Sequence, residues 1–132
     1  MGRIIGIGLD LVEVARIADL RRRHGERFEK RVFSEAELAA AGVKDARDER
    51  VAARFAAKEA VMKALGTGWA QGVGFKQIEV FSLPSGQPVA TLKGAAALRA
   101  QSLGANSIHI TMTDQGQWAA AVAILEGPDV PA

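Results

Sequence analysis

Three residues of this chain have the types and spacing to act on a phosphate. Asp10 closes the apolar run IIGIGLD. Glu59 and Lys63 stand four apart in RFAAKEAVMKALGTG, which runs from Arg54 to Gly68. Two carboxylates could hold a hard cation, and an ammonium one helical turn beyond the second could face the anion that the cation neutralises. The composition narrows the chemistry further. Cysteine is absent, which removes a thiolate nucleophile, a disulfide framework and thiolate zinc sites. The two histidines, His24 and His109, are far apart in sequence, so a histidine zinc site is not expected. Any metal would rest mainly on carboxylate oxygen, which favours Mg²⁺, with Mn²⁺ as the alternative.

Taken singly, each residue also has a structural reading. Asp10 stands where a strand gives way to a helix, so it is either an N-cap or a metal ligand, and position alone favours the cap. Glu59 and Lys63 fit an exposed i,i+4 pair worth about 0.3 kcal/mol. Glu59, however, falls at the edge of an apolar face, where a half-buried carboxylate needs a partner. Lys58 lies within the apolar stripe and is expected to bury its stem and carry its charge outward. Gly66-Thr67-Gly68 suits a helix C-cap; it follows a helix instead of preceding one, so it is not a Walker loop. His109 reads as a structural histidine in mid-strand, and Asp114 as a turn residue.

The elements that must position these groups follow from periodicity. Residues 3–10, built around Ile4, Ile5, Ile7 and Leu9, read as a buried strand whose glycines at 6 and 8 permit close backbone approach. A helical period runs from Leu11 to about His24 and stops at Gly25. Ser34 and Glu37 form a capping box that starts a short helix ending near Gly42. A long helix follows, from about Asp45 or Arg47 to Leu65, burying Val51, Phe55, Val61, Met62 and Leu65. Ala52 and Ala56 beside Lys63 would leave room for a ligand against it. Strands are expected at Phe75–Ser82 and Pro88–Leu92 around the turn 84–87, a helix over 94–103, and a final hairpin of Ser107–Asp114 with Trp118–Glu126. The order implies an α+β domain with an antiparallel sheet and at least three helices.

At 132 residues, the length suits one domain, read as 1–126 with a frayed tail at 127–132. No apolar run approaches the roughly eighteen residues of a membrane span, and the N-terminus lacks a signal-peptide pattern, so a cytoplasmic protein is expected. Net charge is only +2, yet Arg16, Arg21, Arg22, Arg23, Arg27, Lys30 and Arg31 crowd one stretch. That patch is either a solvated helix face or the docking face for an acidic partner. With only Phe28 near it, it offers no stacking platform for single-stranded nucleic acid.

In combination these segments are specific. GIGLDLVEVARI, FSEAEL, RFAAKEAVMKALGTG, a GQP turn and a HITMTD–WAAAVAILE hairpin occur in one order. The chain thereby resembles the holo-(acyl-carrier-protein) synthases, the small stand-alone 4′-phosphopantetheinyl transferases, over about residues 3–126. The resemblance implies the family's fold, an antiparallel sheet packed on a long central helix. It also implies transfer of the phosphopantetheine arm of coenzyme A to a serine of apo acyl carrier protein, with release of adenosine 3′,5′-bisphosphate. By the same resemblance Asp10 and Glu59 would be metal ligands, Lys63 would lie near the phosphates, and Arg54 would bind coenzyme A. Gly66, Thr67 and Gly68 would line the coenzyme A site, and Ser85, Gly86, Pro88 and His109 its nucleotide end. Arg16, with Arg21, Arg22 and Arg23, would meet the acidic carrier protein. Family members are typically homotrimers with sites shared between neighbours. Where many relatives carry histidine this chain has Asp114, so no histidine role transfers there. The competing readings are a coenzyme A or nucleotide-binding module without catalysis, which would not need both carboxylates, and a nucleic-acid binder using the arginine run, which would not need Glu59.

Overall fold

The structure, a computed structural model, describes residues 2–41 and 43–129. The expected helix stop at Gly42 and the end of the tail, 130–132, lie outside the described residues. The chain opens with strand β1 (Gly2–Glu13) and continues through helices α1 (Val14–His24), α2 (Glu26–Val32), α3 (Glu35–Ala41) and α4 (Asp48–Leu65). Then come strands β2 (Ile78–Ser82) and β3 (Pro88–Leu92), helix α5 (Gly94–Ser102), and strands β4 (Ser107–Gln115) and β5 (Trp118–Pro128). The fold is α+β. A three-stranded antiparallel sheet in the order β1-β5-β4 packs on α4, and β2 and β3 form a separate hairpin.

Small residues bring the sheet onto the helix. A Cβ on Gly8 would collide with the carbonyl oxygen of Ala60, and one on Gly6 with that of Ala64. On the same face β5 presents Ala119, Ala121, Ala123 and Leu125, all buried. Strand residues alternate between faces, so once the glycines face α4 the neighbouring apolar side chains must face away. Ile7, Leu9 and Leu11 are accordingly 61%, 60% and 61% exposed. Ile4 is exposed as well. The expectation of a strand buried around Ile4, Ile7 and Leu9 is therefore corrected, because backbone approach outranks side-chain hydrophobicity at this contact.

The first strand is also longer than periodicity indicates. It pairs with β5 through Glu13 opposite Trp118, so α1 starts at Val14 and Asp10 lies within the strand. The N-cap reading of Asp10 is thereby overturned. Helix α2 was not anticipated; Gly25, at φ +53°, ends α1 and lets the chain restart, and Phe28 and Val32 give the new helix its buried side. The capping box holds, with Ser34 N donating to Glu37 Oε1 at 3.0 Å and Glu37 N to Ser34 Oγ at 3.2 Å. Phe75–Gln77 forms a 3₁₀ turn, and β2 begins only at Ile78. At the other end β5 runs on through Gly127 and Pro128, paired with Arg3 and Gly2.

Helix α4 is buried on nearly every side, unlike the one-faced helix of the sequence reading. Ala52 and Ala56 are fully buried, so protein occupies the space in which a ligand was expected. Lys58 does not reach solvent either. Its ammonium, fully buried, donates to Glu37 Oε1 at 2.5 Å and to the carbonyls of Phe75 and Ile78 at 3.1 and 2.5 Å. Glu37 Oε2 in turn accepts from Val80 N at 3.0 Å. A buried charge persists only when its partners are supplied in this way.

Candidate active site

Because β1 touches α4 through glycine, the side chain two residues on meets the helix surface. Asp10 is buried there, and Lys63 Nζ donates to Asp10 Oδ1 at 3.1 Å and to the carbonyl of Leu9 at 2.9 Å. Glu59, one turn before Lys63, lies half-buried beside Asp10. Burial, then the Asp10 charge and a carboxyl–carboxylate hydrogen bond, push its pKa up to about 7, against the pull of Arg16 and Lys63. With both acids ionised neither can donate to the other, and Asp10 Oδ2 is then buried without a hydrogen-bond partner. Such a pair needs either a shared proton or a cation. Two carboxylates with an orphaned oxygen fit a hard divalent ion. Among the described residues no third acidic or histidine side chain joins them, so the ion's remaining ligands would be water and substrate oxygens, as Mg²⁺ prefers.

Just past Lys63, Gly66 takes the left-handed conformation (φ +76°) that ends α4. Its amide donates to Lys63 O at 3.0 Å and that of Gly68 to Met62 O at 3.3 Å. Thr67, buried between them, donates from Oγ1 to Gly68 O at 3.2 Å. The glycines are thus a C-cap, and they end the helix that carries Glu59 and Lys63.

The other residues expected to bind coenzyme A lie elsewhere. Arg54 is buried, donating to Val80 O at 3.0 Å and Ser82 Oγ at 3.1 Å; burial and Arg50 lower its pKa. It lines a polar cleft of about 440 Å³ with Arg47, Arg50, Gly86, Pro88 and Asp114. Ser85, in the same turn, accepts from Gln87 N at 3.3 Å. At 1.5 Å per residue this cleft is about 18 Å along α4 from Gly66. His109, 60% exposed and 3.2 Å from Glu126, shares the outer sheet face with Ile7 and Leu9, opposite to Asp10. His109 therefore stands across the sheet from the carboxylate pair.

The arginine run divides. Arg16 is exposed, 5.9 Å above the Phe55 ring, and close enough to act on Glu59. Arg22 and Arg23 are exposed and pair with Asp19. Arg21, in contrast, is turned into the fold, donating to Val43 O at 3.2 Å, Ala46 O at 2.9 Å and Asp48 at 2.8 Å. It fastens α1 to the segment before α4, so its expected place on a docking face is corrected. Between α1, α2 and the 66–74 loop lies a groove of about 620 Å³ floored by Phe28, Phe55 and Phe75 and rimmed by Arg16, His24, Arg27, Lys30 and Arg31.

A family model described as the 4′-phosphopantetheinyl transferase superfamily matches residues 6–123. The chain belongs to that superfamily. Its match spans the carboxylate pair, Lys63 and the glycine cap alike. This transferase is 47% identical over 123 residues to a holo-[acyl-carrier-protein] synthase of Photorhabdus laumondii, covering 93% of this chain and 98% of that protein. Its fold superposes on an acyl carrier protein synthase of Plasmodium yoelii with ADP bound, at a TM-score of 0.87 and 29% identity, covering 98% and 99% of the two chains. A Helicobacter pylori holo-[acyl-carrier-protein] synthase in complex with coenzyme A superposes at 0.79 with 28% identity, covering 90% and 98%.

Reading the transferase from sequence missed Arg47 and Arg50 in the polar cleft and the aromatic floor of the groove. The basic run through Arg31 was visible; that its second half forms a groove depended on α2, which Gly25 concealed by looking like a plain helix stop.

Proposed function

We propose that this chain transfers the 4′-phosphopantetheine arm of coenzyme A to a serine hydroxyl of apo acyl carrier protein, releasing adenosine 3′,5′-bisphosphate. The observation that carries this reading is the half-buried pair Asp10–Glu59 with its orphaned oxygen beside Lys63. A module that only bound coenzyme A would have no use for two such carboxylates. In the reaction the serine oxygen attacks the β-phosphorus, and the bond from that phosphorus to the bridging oxygen breaks. Mg²⁺ or Mn²⁺ held by Asp10 and Glu59 would supply charge neutralisation on the pyrophosphate. Lys63, aimed by Leu9 O and Asp10 and 54% exposed, meets the charge that develops on the phosphate oxygens. A water oriented by Glu59 would take the serine proton.

Coenzyme A would lie along the Gly66–Gly68 cap, and its nucleotide end would need the Arg54 cleft and His109. The placement of His109 on the far face of the sheet favours a homotrimer in which a neighbour supplies it, and the exposed stripe Ile7, Leu9 and Leu11 suits burial against another copy. The carrier protein would dock on the groove, its acidic residues meeting Arg16, Arg22 and Arg23 and the rim of α2. Charge reversal at Arg16 is expected to raise the KM for carrier protein about tenfold, and added salt to weaken docking of the unmodified chain; an unchanged KM would argue against this face. No helix is long and apolar enough to cross a membrane, and the reaction is proposed for the cytoplasm. The deciding experiment is intact-mass analysis of apo acyl carrier protein incubated with this protein, coenzyme A and Mg²⁺, with and without chelator. The expected result is a gain of one phosphopantetheine that chelator abolishes. No gain, despite measurable coenzyme A binding, would leave a binding module.

A further inference from the structure

The loop from Gly66 to Gly74 has few bonds of its own. Beyond the cap, Ala70 N donates to Thr67 O at 2.9 Å and Val73 N to Ala70 O at 3.3 Å, both short-range turns. Two long side chains tie the loop to α5. At its start Arg99, half-buried on α5, donates from Nε to the carbonyl of Leu65 at 3.0 Å. That carbonyl belongs to the last turn of α4, where the helix leaves its acceptors unpaired and its dipole is negative. The Nη2 of Arg99 also lies beside Gly66, 3.5 Å from where a Cβ would stand. Towards the loop's end Gln77 donates from Nε2 to Gly72 O at 2.9 Å, while its Oε1 accepts from Ala96 N in the first turn of α5 at 3.0 Å. The backbone of Gln77 accepts from Lys93 N at 2.8 Å as well. Helix α5 thus holds the loop at both ends.

We infer that Arg99 is a positioning residue for coenzyme A use: by holding Leu65 and Gly66 it fixes the Gly66-Thr67-Gly68 cap against which the coenzyme lies. It touches no reacting atom. This rests on the function proposed above, and it adds a helix that neither the carboxylates nor the arginine clusters involve. Leucine at this position would keep most of the volume and remove the donor; lysine could still reach the Leu65 carbonyl.

The test uses the full chain with Mg²⁺, comparing Arg99→Leu and Arg99→Lys with the unmodified protein by steady-state kinetics and by amide hydrogen exchange. In Arg99→Leu the KM for coenzyme A should rise about fivefold, the scale of one net hydrogen bond, with kcat and the KM for carrier protein within about twofold. Exchange at the Gly66 and Gly68 amides should accelerate about tenfold while the amides of 56–60 in mid-α4 stay protected. Arg99→Lys should recover most of both effects. An unchanged KM for coenzyme A, or exchange that is unaltered or faster along all of α4, would overturn the inference. Failure of the unmodified protein to bind coenzyme A would instead sink the reading beneath it, and the exchange arm, which needs no ligand, would still decide whether Arg99 holds the cap.

Discussion

Glu59 is half-buried beside another acid, and its proton is therefore held more tightly in the folded chain than in the unfolded one. Its pKa rises from 4.5 to about 7. The stabilisation from that proton is complete below the unfolded value and disappears as pH rises through the folded one. In the presence of chelator, Glu59→Gln should therefore gain in Tm relative to the unmodified chain between about pH 5 and about pH 8. A constant Tm difference would show that Glu59 and Asp10 do not share a proton. The same variant should lose about 10²-fold or more in turnover while still binding coenzyme A; near-normal turnover would remove Glu59 from proton transfer. Its neighbour Lys58 is a different matter. Lys58→Met would leave Glu37 buried and unpaired, at a cost of about 3–5 kcal/mol in urea unfolding. Pairing it with Glu37→Gln should recover part of that cost, because neither half of the buried ion pair would then be left charged without the other.

At the scale of elements, the contact between β1 and α4 decides where the carboxylates stand. Gly8→Ala would drive a methyl group into the Ala60 carbonyl. Two backbones cannot yield as side chains do, so a loss of about 3 kcal/mol is expected by thermal or chemical unfolding, with metal-dependent transfer falling alongside. Full stability and activity in that variant would mean the helix is free to move away. Long elements with one period, such as α4 and the β4–β5 hairpin, were legible in the residues, as was the capping box at Ser34. The end of β1 was not: Leu11, Val12 and Glu13 fit either period, and only pairing with β5 decides for strand. Lys58 was misread because its partners, Glu37 and two carbonyls, come from segments at a distance in sequence. Asp10, Glu59 and Lys63 could be named from the chain, and so could the close approach that Gly6 and Gly8 permit; that this approach is onto α4 and brings the three together could not.

At the scale of the whole molecule, the outer face of the sheet is where assembly can be tested directly. Leu9→Asp places charge in the exposed apolar stripe without facing α4. It is expected to shift a trimer to monomer in sedimentation analysis, with loss of transfer. If sites are shared, mixing inactive Lys63→Ala and His109→Ala chains should restore part of the activity; no recovery on mixing would place each site within one chain. One strand underlies all of this. In β1 the even positions Gly6, Gly8 and Asp10 face α4, and the odd positions Ile7, Leu9 and Leu11 face out. Chemistry and outer surface are thus interleaved letter by letter. A single-residue insertion or deletion here would exchange both faces at once, turning the carboxylate outward and the apolar stripe onto the helix.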